Sequence, residues 1–255
     1  MPKGKILLRR KTSNFLVGFC IIRKEFPELE KQLFLLHPDE KKYYASLKFE
    51  KRKISYLLGR IAAKTAILEL DSIKSTMQSF AINSGVFQFP VVKYIQYQNI
   101  QVSISHCDFF GVALAFPEEH PLGIDIEEIK EDRVDVMKTI ICEKELDLMN
   151  NNLLSLAVGS TMVWTIKESL SKVLKTGLTL DFKFLEIESI EKVGVSYIST
   201  FKHFMQYKAI SYKIGNYICS IVQPKKTFAE WDHFNNVLIS CIMKNKNDDT
   251  IKNFI

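Results

Sequence analysis

A strand-like segment near the middle of the chain carries two carboxylates on one face. In residues 122–127, aliphatic side chains alternate with Gly123, Asp125 and Glu127. Successive side chains of a strand point to opposite faces, so Asp125 and Glu127 share a face. Two neighbouring carboxylates repel unless a positive group lies between them, and a hard divalent cation is such a group. Gly123 leaves room for a ligand to approach. The alternative is an edge strand with a solvated acidic face.

A helical segment about forty residues later carries a third carboxylate and two lysines. Glu168 and Lys172 are four residues apart, so they lie along one stripe of a helix, and Lys167 precedes the acid. The alternative is a helix-stabilising Glu–Lys pair worth about 0.2–0.5 kcal/mol. Taken with the strand, the helix predicts a magnesium and phosphate site, because Mg²⁺ binds a few carboxylates together with substrate phosphates and lysine is a mobile positive charge.

Composition limits the classes of protein to consider. The chain has 255 residues, 47% hydrophobic and 25% charged, with a net charge of +6. This is ordinary globular composition, and a mild positive charge suits phosphate handling without proving it. Five cysteines without a Cys-x-x-Cys motif argue against a disulfide framework or a zinc site. The apolar run 15–22 is too short to cross a membrane and lacks a cleavage site, so we expect a buried strand in a cytoplasmic chain.

The elements that must position these residues follow one order twice, helices and then strands. The patterns predict a strand to about residue 22, helices over 38–70, strands between 80 and 126, helices over 142–175 and strands at 184–190, 207–214 and 217–222. We therefore expect an α+β fold of two similar halves, residues 1–121 and 122–255, with the metal-binding segments in the second.

Three boundary features complete the expected organisation. The charge-dense segment 130–136 is interpreted as a mobile linker. Gly177 is expected to end the second long helix. The polar tail from Lys244 is expected to fray.

Several motifs in order resemble the signatures of the 4′-phosphopantetheinyl transferases, most closely the larger, surfactin-synthetase-activating type. Residues 123–127, Gly-Ile-Asp-Ile-Glu, match (V/I)G(V/I)D-x-E, with Leu122 at the leading position. Residues 164–172 match (F/W)-(S/C/T)-x-K-E-(S/A)-x-x-K at every fixed position. Residues 103–106, Ser-Ile-Ser-His, are similar to the family's S-x-S-H segment, and residues 59–64 to its GR-x-x-x-K helix.

The sequence departs from the family at one turn. The family usually carries G-(K/Q)-P before the S-x-S-H strand, whereas this chain reads Gln88-Phe89-Pro90 and keeps only the proline. A contact with the cofactor at that lysine position is therefore not predicted.

The resemblance implies both a fold and a reaction. The fold is a pseudo-dimer in which each half is a small, mainly antiparallel sheet with helices, and coenzyme A lies in the cleft between the halves. The reaction moves the 4′-phosphopantetheine arm of coenzyme A to a serine hydroxyl of a carrier protein, depends on Mg²⁺, and releases adenosine 3′,5′-bisphosphate.

The resemblance also implies roles for individual residues. The metal ligands are Asp125, Glu127 and Glu168, and the catalytic residues are Glu168, as base, and Lys172. The residues implied to contact coenzyme A are Arg60, Ser105, His106, Lys167 and Lys172.

The partners follow from the same resemblance, and two other classes of function stay open. The expected partner is an apo carrier protein of acyl, peptidyl or polyketide type in secondary-metabolite biosynthesis, modified by a monomeric enzyme that binds neither nucleic acid nor membrane. One alternative is a protein that binds coenzyme A without transferase activity. The other is a basic nucleic-acid-binding protein with a metal-dependent nuclease site.

Overall fold

The chain folds into two five-stranded antiparallel sheets with a long helix packed on each. The computed structural model describes residues 1–70, 75–95 and 99–243. The strands are β1 (Lys3–Arg9), β2 (Asn14–Arg23), β3 (Ala81–Ser84), β4 (Pro90–Lys93), β5 (Ile100–Cys107), β6 (Phe110–Pro117), β7 (Gly123–Glu128), β8 (Ile187–Val193), β9 (Ser196–Phe201), β10 (Tyr207–Ile214), β11 (Tyr217–Pro224) and β12 (Phe228–Ala229). The helices are α1 (Phe26–Glu30), α2 (Pro38–Ser46), α3 (Glu50–Leu70), α4 (Val134–Lys138), α5 (Glu143–Asn151), α6 (Leu156–Leu174) and α7 (Asp232–Met243).

Strand order confirms the predicted α+β fold of two halves. The first sheet runs β12-β1-β2-β6-β5 and the second β7-β11-β10-β9-β8, while β3 and β4 form a separate hairpin. Helix α3 packs against β2, β5 and β6, and α6 packs against β7 and β11. The division at residue 121 stays a prediction. The chain returns to the first half near its end, because β12 pairs with β1 and α7 packs against β1 and β2.

Alternating apolar residues give each sheet two buried faces. One large cluster lies between the sheets and takes side chains from β1, β2, β6, β7, β10, β11 and α7. Two further clusters lie under α3 and under α6. In β7, Ile124 and Ile126 enter the central cluster, as the alternation of the sequence predicted. The opposite face of β7, which carries Asp125 and Glu127, is therefore left for the site.

The two halves repeat one buried ion pair, which no repeat in the sequence revealed. The Nζ of Lys64 on α3 lies 2.8 Å from Oε2 of Glu40, and the Nζ of Lys167 on α6 lies 2.9 Å from Oε2 of Glu145. All four side chains are fully buried. Breaking such a pair leaves an uncompensated buried charge, which costs several kcal/mol.

Each buried glutamate also connects a short helix to a strand. Glu40 Oε1 accepts the N–H of Ile82, and Glu145 Oε1 accepts the N–H of Ile187, both at 2.8 Å. The Oε2 atom of each accepts the N–H of the residue just before its own helix, His37 before α2 and Cys142 before α5, which completes a capping box. Two halves with little sequence similarity thus share the same internal framework.

Glycine in β7 admits the backbone of α6 rather than a ligand, which corrects the role expected for Gly123. A Cβ added at Gly123 would overlap the carbonyl oxygen of Ser169 on α6. The first half repeats this close approach, since a Cβ at Gly18 of β2 would overlap the carbonyl oxygen of Ala66 on α3. The glycine in each strand therefore sets the distance between helix and sheet.

The variant Gly123→Ala is expected to lose about 3 kcal/mol of unfolding free energy, because neither backbone can yield without displacing α6 from the sheet. Urea denaturation followed by circular dichroism measures the loss. Gly159→Ala, on α6, is the matched control, because the three atoms nearest its added methyl all belong to the flexible side chain of Met149. Equal midpoints for the two variants would show that β7 and α6 separate easily.

Several predicted boundaries were wrong. Residues 130–136 are not a linker: a 3-10 turn over Glu131–Arg133 leads directly into α4. Lys175 rather than Gly177 caps α6 in a left-handed conformation. The strand predicted at 184–190 begins at Ile187, and β9 was missed. The segment from Lys244 lies outside the described residues. Within the described ranges, no helix is long and apolar enough to cross a membrane.

Candidate active site

Strand β7 and helix α6 bring Asp125 and Lys172 into direct contact. Lys172 Nζ donates to Asp125 Oδ1 at 2.8 Å and to the carbonyl of Ile124 at 2.9 Å. Asp125 is almost fully buried, and its Oδ2 has no hydrogen-bond partner. Glu168 lies one turn before Lys172 on the same helix and faces the same cleft. The structure therefore joins Asp125 to Lys172 and places Glu168 beside Lys172 in the cleft.

A ladder of side chains from β5 holds β7 at the junction of the two sheets. Ser103 Oγ accepts the N–H of Ile124 at 3.0 Å, and Ser105 Oγ accepts the N–H of Ile126 at 3.2 Å. Cys107 Sγ accepts the N–H of Glu128 at 3.2 Å. These are the backbone donors of β7 that face away from β11, and an edge strand must satisfy them if they are buried. The alternating side chains of Ser103, Ser105 and Cys107 thus form part of the interface between the halves.

Ser105 acts on a carboxylate in this arrangement, whereas it was expected to contact the cofactor. Its hydroxyl donates to Asp125 Oδ1 at 2.7 Å and is buried. Asp125 is therefore held from two sides, by Ser105 of the first half and by Lys172 of the second. The neighbouring His106 does face the cleft, so only one of these two residues lies where a coenzyme contact was predicted.

Burial and mutual repulsion make the carboxylates reluctant to ionise together. Burial is the largest cause that raises the pKa of Glu127 to about 7, and the charge of Asp125 adds to it. Burial likewise raises the pKa of Glu168, with a further contribution from Asp125 opposed by Lys172. A nearby positive charge relieves such repulsion. Arg133 already supplies one such positive charge, since its Nη1 lies 3.0 Å from Glu127 Oε2.

The donor set suits a hard divalent cation without being arranged as a finished metal site. Asp125 and Glu168 both lie close enough to Glu127 for their charges to raise its pKa, and the unpartnered Oδ2 of Asp125 is an oxygen that a cation would satisfy. However, Lys172 and Arg133 occupy the other oxygens of Asp125 and Glu127. Among the described residues, no three His, Cys, Asp or Glu side chains already form a group that could hold a metal ion. Magnesium binding therefore stays a prediction.

A cleft of about 610 Å³ opens above Glu168 and Lys172 and is lined by both halves. The first half contributes Arg60, whose guanidinium lies 4.7 Å from the ring centre of Tyr56 and whose buried Nε lacks a partner. It also contributes His106, whose pKa is lowered first by desolvation and then by the charge of Lys172. The predicted cleft between halves thus exists, and Arg60 and His106 line it.

Lys167 lies elsewhere, so its predicted contact with the cofactor is corrected. Its ammonium is fully buried between Glu145 and the carbonyl of Ile140, at 2.9 and 2.7 Å. The sequence placed Lys167 next to Glu168, but it could not show that its side chain contacts the buried Glu145 on the other side of α6. Lys167 stabilises the fold of the second half.

Sequence reasoning also missed residues that line or shape the site. Arg133 was assigned to a linker, although its guanidinium neutralises part of the negative charge of Glu127. Phe89 and Lys175 line the cleft, with the Nζ of Lys175 5.4 Å from the ring centre. Lys175 lies three positions after Lys172, and this helical spacing could have placed it beside the site. No local pattern pointed to Arg133.

The first half lacks the carboxylates at the corresponding positions. Cys20 follows the glycine of β2 by two residues, as Asp125 follows that of β7. Thr65 follows the buried lysine of α3, as Glu168 follows that of α6. Burial raises the pKa of the Cys20 thiol to about 12, and Thr65 opposes this shift. The shared framework therefore carries acidic chemistry in the second half alone.

A family model and a curated relative agree with the motifs. The family model of the 4′-phosphopantetheinyl transferase superfamily matches residues 121–222. A protein of Aneurinibacillus migulanus, named 4′-phosphopantetheinyl transferase gsp, is 26% identical over 161 residues, which is 62% of this chain and 65% of that protein. The match thus spans slightly less than two thirds of the curated relative. A crystal structure of a holo-(acyl-carrier-protein) synthase from Bacillus anthracis in complex with CoA (3′,5′-ADP) is 21% identical, covers 44% of this chain and 96% of that one, and has a TM-score of 0.36.

Proposed function

We propose that this chain is a 4′-phosphopantetheinyl transferase, which moves the 4′-phosphopantetheine arm of coenzyme A to a serine hydroxyl of a carrier protein. The match of the superfamily model to residues 121–222 supports this proposal. Adenosine 3′,5′-bisphosphate is the leaving product. One observation carries the proposal: Lys172, which contacts Asp125, lines a cleft together with Glu168, and the other half contributes Arg60 and His106 to that cleft. A polyanionic cofactor needs cations along its length, and the transfer needs a base near them.

Each residue of the site has a step that it can perform. Glu168 accepts the proton of the carrier serine, directly or through water, because burial and Asp125 both raise its pKa. Lys172 donates hydrogen bonds to the pyrophosphate as negative charge develops on the leaving side. Arg60 has a free donor for a phosphate, and its planar group suits a paired contact.

Magnesium completes the proposed chemistry. Asp125, Glu127 and Glu168 are the residues that would hold it, and the ion would neutralise charge on the pyrophosphate. The support is the unpartnered Oδ2 of Asp125 and the raised pKa of Glu127. We further propose a monomer that acts in the cytoplasm on carriers of secondary-metabolite biosynthesis, and the buried thiols of Cys20, Cys107 and Cys219 suit a reducing compartment.

The direct test incubates the purified chain with coenzyme A, Mg²⁺ and a panel of apo acyl, peptidyl and polyketide carrier domains. The expected result is a mass gain of one phosphopantetheine arm on at least one carrier, lost when EDTA replaces Mg²⁺. A matched control is each carrier with its acceptor serine changed to alanine. Binding of coenzyme A without a mass gain on any carrier would instead support a protein that binds coenzyme A and does not transfer its arm.

A further inference from the structure

Lys175 ends helix α6 in a backbone conformation that normally selects glycine. Its φ is 56°, in the left-handed region, and its N–H closes the last turn of the helix on Lys172 and Ser171. A side chain with a Cβ is disfavoured there, because the Cβ crowds the neighbouring carbonyl oxygen. Residues held in such conformations are concentrated at functional sites, so the reason for a lysine here is to be sought in its side chain.

The side chain of Lys175 reaches from the second half across the mouth of the cleft. Its Nζ donates to Oε1 of Gln101 on β5 at 3.1 Å and lies 5.4 Å from the ring centre of Phe89. The carboxylate that it approaches, Glu118, is 4.0 Å away and about half exposed. An exposed pair at that distance neutralises little charge. The ammonium therefore remains available to an anion in the cleft.

Lys175 and Lys172 mark different parts of the same cleft wall. Lys172 donates to Asp125 and to the carbonyl of Ile124, at the floor. Lys175 lies nearly one helical turn later, with its Nζ beside groups of the first half. A ligand with phosphates at both ends of a ribose would need positive charge at two such places.

We propose that Lys175 binds a phosphate of the nucleotide part of coenzyme A at the mouth of the cleft. This inference rests on the proposed function, because it takes coenzyme A as the ligand. The phosphate is either the 3′-phosphate or the pyrophosphate, which present the same chemistry to an ammonium group. Gln101 and Phe89 position the side chain across the opening before the ligand arrives.

The test measures the binding of coenzyme A and of dephospho-coenzyme A by calorimetry at fixed ionic strength. Lys175→Gly is expected to weaken binding of coenzyme A about 10-fold, the size of one lost charge-assisted hydrogen bond. Lys175→Arg is the matched control and should stay within about threefold of wild type, because it keeps the charge. If the 10-fold loss also occurs with dephospho-coenzyme A, the phosphate is in the pyrophosphate; if it occurs only with coenzyme A, it is the 3′-phosphate.

Two measurements separate this result from a folding defect. The thermal midpoint of Lys175→Gly should equal or exceed that of wild type, because glycine suits the left-handed cap. Adding Phe89→Lys to that variant should recover part of the affinity, because the ring of Phe89 lies beside the lost ammonium. If wild type binds coenzyme A and Lys175→Gly binds it equally well, this inference alone falls. If wild type does not bind coenzyme A, the proposed function falls with it.

Discussion

Replacing Glu168 with glutamine is expected to lower phosphopantetheine transfer by at least about 100-fold while the protein stays folded. Glutamine keeps the shape of the side chain but can neither accept the serine proton nor bind a cation strongly. The raised pKa of Glu168, caused first by burial and then by Asp125, makes the carboxylate a better base than an exposed one. Mass spectrometry of a carrier domain under single-turnover conditions measures the rate.

The control for this variant is Glu191→Gln, which makes the same change on an exposed position of β8. It should transfer at the rate of wild type. Circular dichroism and calorimetry with coenzyme A should show that Glu168→Gln is folded and still binds the substrate. A transfer rate within twofold of wild type would remove Glu168 from the proposed chemistry and leave the acceptance of the proton to another group.

Lys167→Met is expected to lose about 3–5 kcal/mol of unfolding free energy, the largest effect on stability that we predict. The substitution leaves the carboxylate of Glu145 buried with its Oε2 no longer paired to an ammonium. Lys64→Met should lose a similar amount, because it breaks the corresponding pair with Glu40. Urea denaturation gives the three free energies to be compared.

A second substitution distinguishes the lost pair from lost packing. Lys167→Met combined with Glu145→Gln should recover part of the stability, since the neutral amide needs no charge compensation and its oxygen can still accept the N–H of Ile187. The opposite pattern, a stable Lys167→Met with weak binding of coenzyme A, would return Lys167 to the cofactor site. This variant therefore tests directly the correction that the structure made to the sequence-based assignment.

The parts of the site that depend on local periodicity could be predicted from the sequence. Alternation in β7 placed Asp125 and Glu127 on one face, and helical spacing placed Glu168 and Lys172 on one stripe. The structure adds that Lys172 spans from α6 to Asp125. The side-chain period of a strand or helix determines which residues share a face, so these placements needed no knowledge of the rest of the fold.

The parts that depend on a partner distant in sequence could not be predicted. Lys167 has its position because Glu145 lies 2.9 Å away, and Ser105 because Asp125 and the N–H of Ile126 face it. Gly123 was predicted to make room for a ligand, because a strand pattern does not indicate that the carbonyl of Ser169 on α6 approaches it. In each case the side chain was identified correctly as unusual, and its contact was supplied by another element.

The unequal chemistry of the two halves has a consequence for stoichiometry. A molecule built on two copies of one framework could present two reaction centres, and titration with coenzyme A would then saturate at two per chain. Here Cys20 and Thr65 stand where Asp125 and Glu168 stand in the other half. Under the proposed function, the first half supplies a wall of the cleft and the second half supplies the reacting groups. Under the proposed function, we therefore expect the titration to saturate at one coenzyme A per chain.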